Sequence, residues 1–180
     1  TLNKFAKQFP IATNDRHVSM YDPRTKTFKL IPTCFRSHHL NFAYDSDRTL
    51  YVEGGQAIGW INTKMYDQTG DIVKSQGWTA FVLDTNGNGK RDAYVEPNQP
   101  VDPTKDKRMN VGFYAIMPHP KDGSIWGSYR GNPGAVVRVV LGSNPSETAI
   151  TEVYNVPAPG FGVRGGDIDS KGIVWVSLAS

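Results

Sequence analysis

LNFAYDSDRTLYVEGG, residues 40–55, holds an apolar run, a polar turn and a second apolar run that ends in two glycines. Short runs rich in aromatic and β-branched residues, broken by Asp, Ser and Arg, read as the two strands of a hairpin. The plan recurs as YAIMPHPKDGSIWGSY at 114–129 and GGDIDSKGIVWVSLAS at 165–180, with Tyr51, Trp126 and Trp175 at matching places. Asp45, His119 and Asp169 stand at corresponding points of the turns. A second hairpin ending in proline precedes the first and third copies: SMYDPRTKTFKLIP (19–32) and VVRVVLGSNPSETAITEVYNVP (136–157). Two hairpins per unit, at roughly 40–50 residues, is the plan of a four-stranded propeller blade. A β-sandwich also makes serial hairpins, but the matched aromatics favour the repeat.

The expected fold is therefore all-β: a β-propeller of four-stranded blades, with residues 1–180 covering about three blades of a larger ring as one segment. Rings have typically 4–8 blades. Three would leave open strand edges, so the remaining blades are expected as partners. One blade carries an insertion, the proline-rich loop 96–107 (EPNQPVDPTKDK), which has three prolines.

Composition narrows the function. There are 18 glycines and 12 prolines in 180 residues, a turn-rich mixture. Twenty basic residues against seventeen acidic ones give a net charge of +3, too balanced for a nucleic-acid surface. No apolar run approaches the ~20 residues of a membrane span, and TLNKFAKQFP at 1–10 lacks the apolar core of a signal peptide. Cys34 is the sole cysteine, expected as a small buried apolar residue.

MYDPRTKTFKLIPT (20–33), HLNFAYDSDRTLYVE (39–53) and AIGWI (57–61) together resemble blades of the streptogramin (virginiamycin B) lyase-like propeller superfamily. The resemblance covers residues 20–61; the later copies share only the D-x-x-G-x-W-V part. It implies a site at one mouth of the central channel. In the family's lyases a His, a Glu fourteen residues on and a further His serve a Mg²⁺-assisted ring opening. Here His39 and Glu53 fit that spacing, and the third position is Gln56, which cannot accept a proton as a general base. The resemblance therefore implies a ligand- or partner-binding propeller. The alternative is a Mg²⁺-dependent carbon–oxygen lyase with His39 and Glu53 as its catalytic pair. His38 is expected to point away from His39, because neighbouring residues of a regular strand face opposite sides.

Arg164 and Asp167 flank Gly165 and Gly166. The glycines allow close backbone approach to a ligand and an Arg there can clamp a carboxylate or phosphate, so both are candidate ligand-binding residues for a small molecule or protein at the channel mouth. His119 is expected to serve its turn.

DTNGNGKRD, residues 84–92, lies between AFVL and AYVE. Asp84, Asn86, Asn88, the Lys90 carbonyl and Asp92 fall at alternating positions as in a Ca²⁺-binding loop, with Gly89 where the turn is tightest. Val95 stands where the last bidentate acid belongs. The expectation is a structural Ca²⁺ loop capping a β-hairpin. A weak Ca²⁺ site suits a secreted or periplasmic protein, where Ca²⁺ is millimolar.

Overall fold

The computed structural model describes residues 15–179. In chain order the elements are β1 (His17–Asp22), β2 (Thr27–Pro32), β3 (His39–Phe42), β4 (Thr49–Glu53), β5 (Ala57–Asn62), α1 (Thr63–Thr69), α2 (Ile72–Ser75), β6 (Gln76–Ala80), β7 (Val82–Leu83), β8 (Tyr94–Val95), β9 (Asp106–Arg108), β10 (Ile116–Pro118), β11 (Ile125–Tyr129), β12 (Ala135–Val140), α3 (Pro145–Thr148), β13 (Ile150–Asn155), β14 (Gly166–Ile168) and β15 (Val174–Val176). The protein is mostly β, in several antiparallel sheets, none of them closed.

Two hairpins, β1–β2 and β14–β15, flank two larger sheets. One of these is the meander β3-β4-β5-β6. The other begins as the meander β10-β11-β12-β13 and continues through β7, β9 and β8. The units pack in series with a separate apolar layer at each junction. Val18, Ile31, Cys34, Phe35, Val52 and Ile61 lie between the first hairpin and the first meander. Ile58, Phe81, Phe113, Ile125, Val137 and Val139 lie between the two meanders. Ala115, Met117 and Ile168 join the second meander to the last hairpin. The first strands of successive units are neighbours: β10 lies against β3, β4 and β14.

The three sequence copies are structural copies. Each turn has one residue in the left-handed region before or at the start of the second strand: Arg48 (φ 52°), Gly123 (φ 69°) and Gly172 (φ 90°). In each, that residue's amide bonds the carbonyl of the residue opening the turn: Asp45, His119 and Asp169. Asp45 Oδ1 accepts the amide of Thr49, and Asp169 Oδ1 those of Lys171 and Ile173. His119 Nδ1 accepts from Lys121 and Asp122 at 3.3 and 3.2 Å, so its ring serves as the aspartates do.

Two expectations need correction. The Asp84–Asp92 loop does not cap a hairpin. Strand β9 lies between β7 and β8, antiparallel to the first and parallel to the second. The cause is Asp106, fully buried, whose carboxylate accepts the amides of Thr85 at 3.3 Å and Asp92 at 2.7 Å and so ties both ends of the loop to β9. For the same reason the loop 96–107 is not loop throughout: Asp106 and Lys107 belong to β9. Short helices also occur where helical periodicity is faint. Asn62 caps α1 through the Met65 amide and Gly70 ends it at φ 67°, a start and stop signal independent of any apolar stripe.

Candidate functional site

His39 opens β3 and pairs with Glu53, the last residue of β4. The spacing seen in the sequence is thus the span of one hairpin. His38 lies just before the strand, and its amide donates to the Glu53 carbonyl at 2.7 Å. Outside the ladder the alternation rule no longer applies, which corrects the expectation that His38 points away from His39. Its ring turns toward the same carboxylate: His38 Nδ1 is 3.3 Å from Glu53 Oε2 and 2.8 Å from His39 Nδ1. One ligand atom from each of His38, His39 and Glu53 lies within 4.8 Å of the others.

Close backbone approaches hold this corner. A Cβ on Gly54 would lie 1.8 Å from the Arg36 carbonyl oxygen, so only glycine lets the segment before His38 lie against the end of β4. Phe35 packs its ring flat over Gly59 of β5, where a Cβ would be 2.3 Å away, and anchors the same segment. Phe113 covers Gly127 of β11 in the same way and fixes the chain that carries Tyr114. Tyr114 comes from the second meander, its ring centroid 4.7 Å from that of His39 and 6.0 Å from that of His38. The Arg130 guanidinium sits 5.0 Å over the Tyr114 ring. His38, Glu53, Tyr114, Tyr129 and Arg130 line an open cleft of about 480 Å³, floored by Gly112 and Gly131.

Burial and neighbouring charges act on each member of the cluster. Glu53 is 3% exposed. Its Oε1 accepts the Gly55 amide at 3.0 Å, while Oε2 is buried with no hydrogen bond. Burial raises its pKa, against the opposing pull of the Gly55 amide and His38. His39 is lowered from the ordinary imidazole value by burial first, then by His38 and Arg130, so it is neutral at pH 7. Two imidazole nitrogens and a carboxylate oxygen crowd one point. A tetrahedral ion with bonds of ~2.0–2.2 Å sets its ligands roughly 3.3 Å apart, close to the 3.3 and 2.8 Å found here. Two of the three donor pairs thus have the spacing of a tetrahedral site and the third, His39 with Glu53, lies within 4.8 Å; imidazole donors suit Zn²⁺ better than Mg²⁺.

Gln56 lines a different cavity and accepts from Arg108 Nη1 at 3.2 Å. Arg164 and Asp167 are both exposed. Among the described residues no ion pair joins them; Asp167 Oδ1 accepts the amide of Ile168 at 2.8 Å. Arg164 nevertheless occupies a position equivalent to the site residues. Its amide donates to Ser177 as Tyr114 donates to Ser128 and His38 to Glu53. Tyr114 and Arg130 escaped the sequence reading because they reach the site across a junction between units. The available signal was that repeat position, the residue leading into each first strand.

The Asp84–Asp92 loop is closed by its own side chains. Asp84 Oδ1 and Oδ2 accept the amides of Gly87 and Gly89. Asn88 Oδ1 accepts the Lys90 amide at 2.8 Å. Asn86 Nδ2 and Asn88 Nδ2 both donate to Asp92 Oδ2, at 2.9 and 2.7 Å. A half-turn of each amide exchanges its nitrogen for its oxygen, which would present oxygens to the space shared with Asp92. As it stands the loop is a hydrogen-bonded turn; the rotation gives up the bonds that Asn86 Oδ1 and Asn88 Oδ1 accept from the Asn88 and Lys90 amides.

No family model, curated protein or solved structure matches the chain.

Proposed function

We propose that the protein is a β-propeller segment that holds a divalent transition-metal ion at His38, His39 and Glu53 and binds a small-molecule ligand in the cleft beside it. The observation that carries this is the gathering of His38, His39 and the buried Glu53, whose ligand atoms lie within 4.8 Å of one another, with His38 Nδ1 3.3 Å from Glu53 Oε2. Burying an ionised carboxylate costs several kcal/mol; the Gly55 amide and His38 offset part of that cost, and a cation would offset more. A bound ion would polarise a ligand oxygen and stabilise charge developing on it. Arg130 offers its guanidinium to an anionic or carbonyl group, and Tyr114 provides a wall against which a ligand can pack.

The ring is supported by the serial packing of four units and the adjacency of the first strands of the last three, β3, β10 and β14. Large apolar side chains also stand exposed on both outer units: Phe28 (73%) and Leu30 (63%) on one, Ile173 (53%) and Trp175 (63%) on the other. Further blades would cover them. In such a ring His38, Tyr114 and Arg164 lie on one rim, and Arg164 is a ligand contact there. The structural Ca²⁺ at Asp84–Asp92, with a secreted or periplasmic location, belongs to the same proposal.

The binding reading is tested by titrating the purified protein with Co²⁺ as a probe for Zn²⁺. A saturable visible absorption at one equivalent, displaced by Zn²⁺ and lost in His39→Ala and Glu53→Gln, is expected. The same spectrum in both variants would overturn it. A second reading, elimination across a carbon–oxygen bond, leaves the ion to His38 and Glu53 and uses His39, lowered from the ordinary imidazole value by burial, as the base. Linear product from a streptogramin B depsipeptide, formed by the metal-loaded protein and not by His39→Ala, would establish it. No product would leave the site a binding site.

A further inference from the structure

The two faces of the Gly54–Gly55 turn open onto different cavities. On the side away from the His–Glu cluster lies a cavity of about 580 Å³, in the range of small-molecule sites. Four arginines line it: Arg16, Arg36, Arg91 and Arg108. Among the described residues the only carboxylate in the lining is Glu96, and Arg108 Nε already engages it at 2.7 Å.

The arginines come from separate parts of the chain. Arg36 precedes β3. Arg91 ends the Asp84–Asp92 loop, where Nη1 donates to Thr79 Oγ1 at 3.0 Å and to the Ser146 carbonyl at 3.2 Å. Arg108 ends β9 and is steered by the Gln56 side chain as well as by Glu96. Arg36 is exposed, and among the described residues its guanidinium has no partner. Like charges gathered round one space repel, and structural guanidiniums are ordinarily matched by carboxylates. Asp106 and Glu147 act on Arg91 from outside the lining, and nothing comparable serves Arg36. Cys34 adds no negative charge: burial pushes its thiol up to about 11. Phe35, Trp78 and Tyr94 supply an apolar wall, and Arg91 lies 5.5 Å over the Tyr94 ring.

We propose that this cavity is a second binding site, for a small organic anion: a carboxylate or phosphate group held by Arg36, Arg91 and Arg108, with its apolar or planar body against Trp78 and Tyr94. Guanidiniums in a fork around one space suit the planar oxygens of either group. Apart from Gly55, which borders both, the two cavities share no lining residue among the described residues.

Phenyl phosphate, phthalate and inorganic phosphate, titrated calorimetrically at low ionic strength, test this. Phenyl phosphate or phthalate should bind at one equivalent, about tenfold or more weaker in Arg36→Gln and in Arg108→Gln, and weaker as salt screens the charges. The better of the two probes identifies the anionic group. Among the described residues the Arg36 guanidinium has no hydrogen bond or ion pair to lose, and thermal melting of Arg36→Gln beside wild type separates lost binding from lost fold. Inorganic phosphate binding as tightly as phenyl phosphate would overturn the organic part of the proposal. No binding at about 10 mM of either organic probe, or binding unchanged in both arginine variants, would overturn all of it.

Discussion

Gly54→Ala tests the link between fold and site. The added methyl would stand 1.8 Å from the Arg36 carbonyl oxygen, 2.1 Å from its carbon and 2.7 Å from Arg36 Cβ. Two of these atoms are backbone and cannot rotate away. An ordinary carbon–oxygen contact is ~3.3 Å, so the segment before β3 must retreat by roughly 1.5 Å from the end of β4. Overpacking of this kind costs about 1–3 kcal/mol. At ~2–4 °C per kcal/mol for a protein of this size, the melting temperature should fall by about 2–12 °C. The larger effect is on the site, because His38 lies two residues beyond Arg36 and its ring is 3.3 Å from Glu53. The Co²⁺ spectrum should weaken or vanish. Gly70→Ala is the control. Gly70 has φ 67° and open space around it, so alanine there costs backbone strain of ~1–2 kcal/mol far from the cluster and should leave Co²⁺ binding intact. A Gly54→Ala protein with wild-type melting and wild-type Co²⁺ binding would refute the reasoning.

Other outcomes follow from the same geometry. Because burial raises Glu53, its bound proton stabilises the metal-free fold at low pH, and that contribution is lost as pH rises through the folded value. Metal-free Glu53→Gln should therefore melt no lower than wild type at pH 7, while wild type gains relative to it on acidification; a large destabilisation by Glu53→Gln at pH 7 would contradict this. Metal affinity measured by competition with a chelator should fall as pH drops and the cluster takes up protons; an affinity flat from pH 8 to 5 would argue against these ligands. At the Asp84–Asp92 loop, EGTA should lower the melting temperature of Ca²⁺-loaded protein and Asp84→Ala should abolish the response. At 100-fold excess of Ca²⁺ over Kd the stabilisation is ~2.7 kcal/mol; no chelator effect would leave the loop a hydrogen-bonded turn.

Local features were legible in the sequence and contacts between units were not. Turn residues at Asp45, Asp122-Gly123 and Asp169 mark three hairpins, and in each a left-handed residue leads into the second strand. The His39–Glu53 pairing follows from one hairpin's length. His38 was misjudged because the alternation of a strand was extended one residue past its end. Strand β9 was missed because Asp106, inside a charged, proline-rich stretch, buries its carboxylate under a distant loop, and no local pattern announces that. Tyr114 and Arg130 join the site only through the packing of one sheet on the next, which Phe113 and Gly127 arrange.

The most direct measurement is an anomalous difference map, at the zinc edge, from crystals of the protein grown with Zn²⁺. A peak within ~2.0–2.2 Å of His38 Nδ1, His39 Nδ1 and Glu53 Oε2 is the expected result. Saturating Zn²⁺ with no peak at that cluster, or with zinc only elsewhere on the protein, would contradict the assignment of His38, His39 and Glu53 as a metal centre.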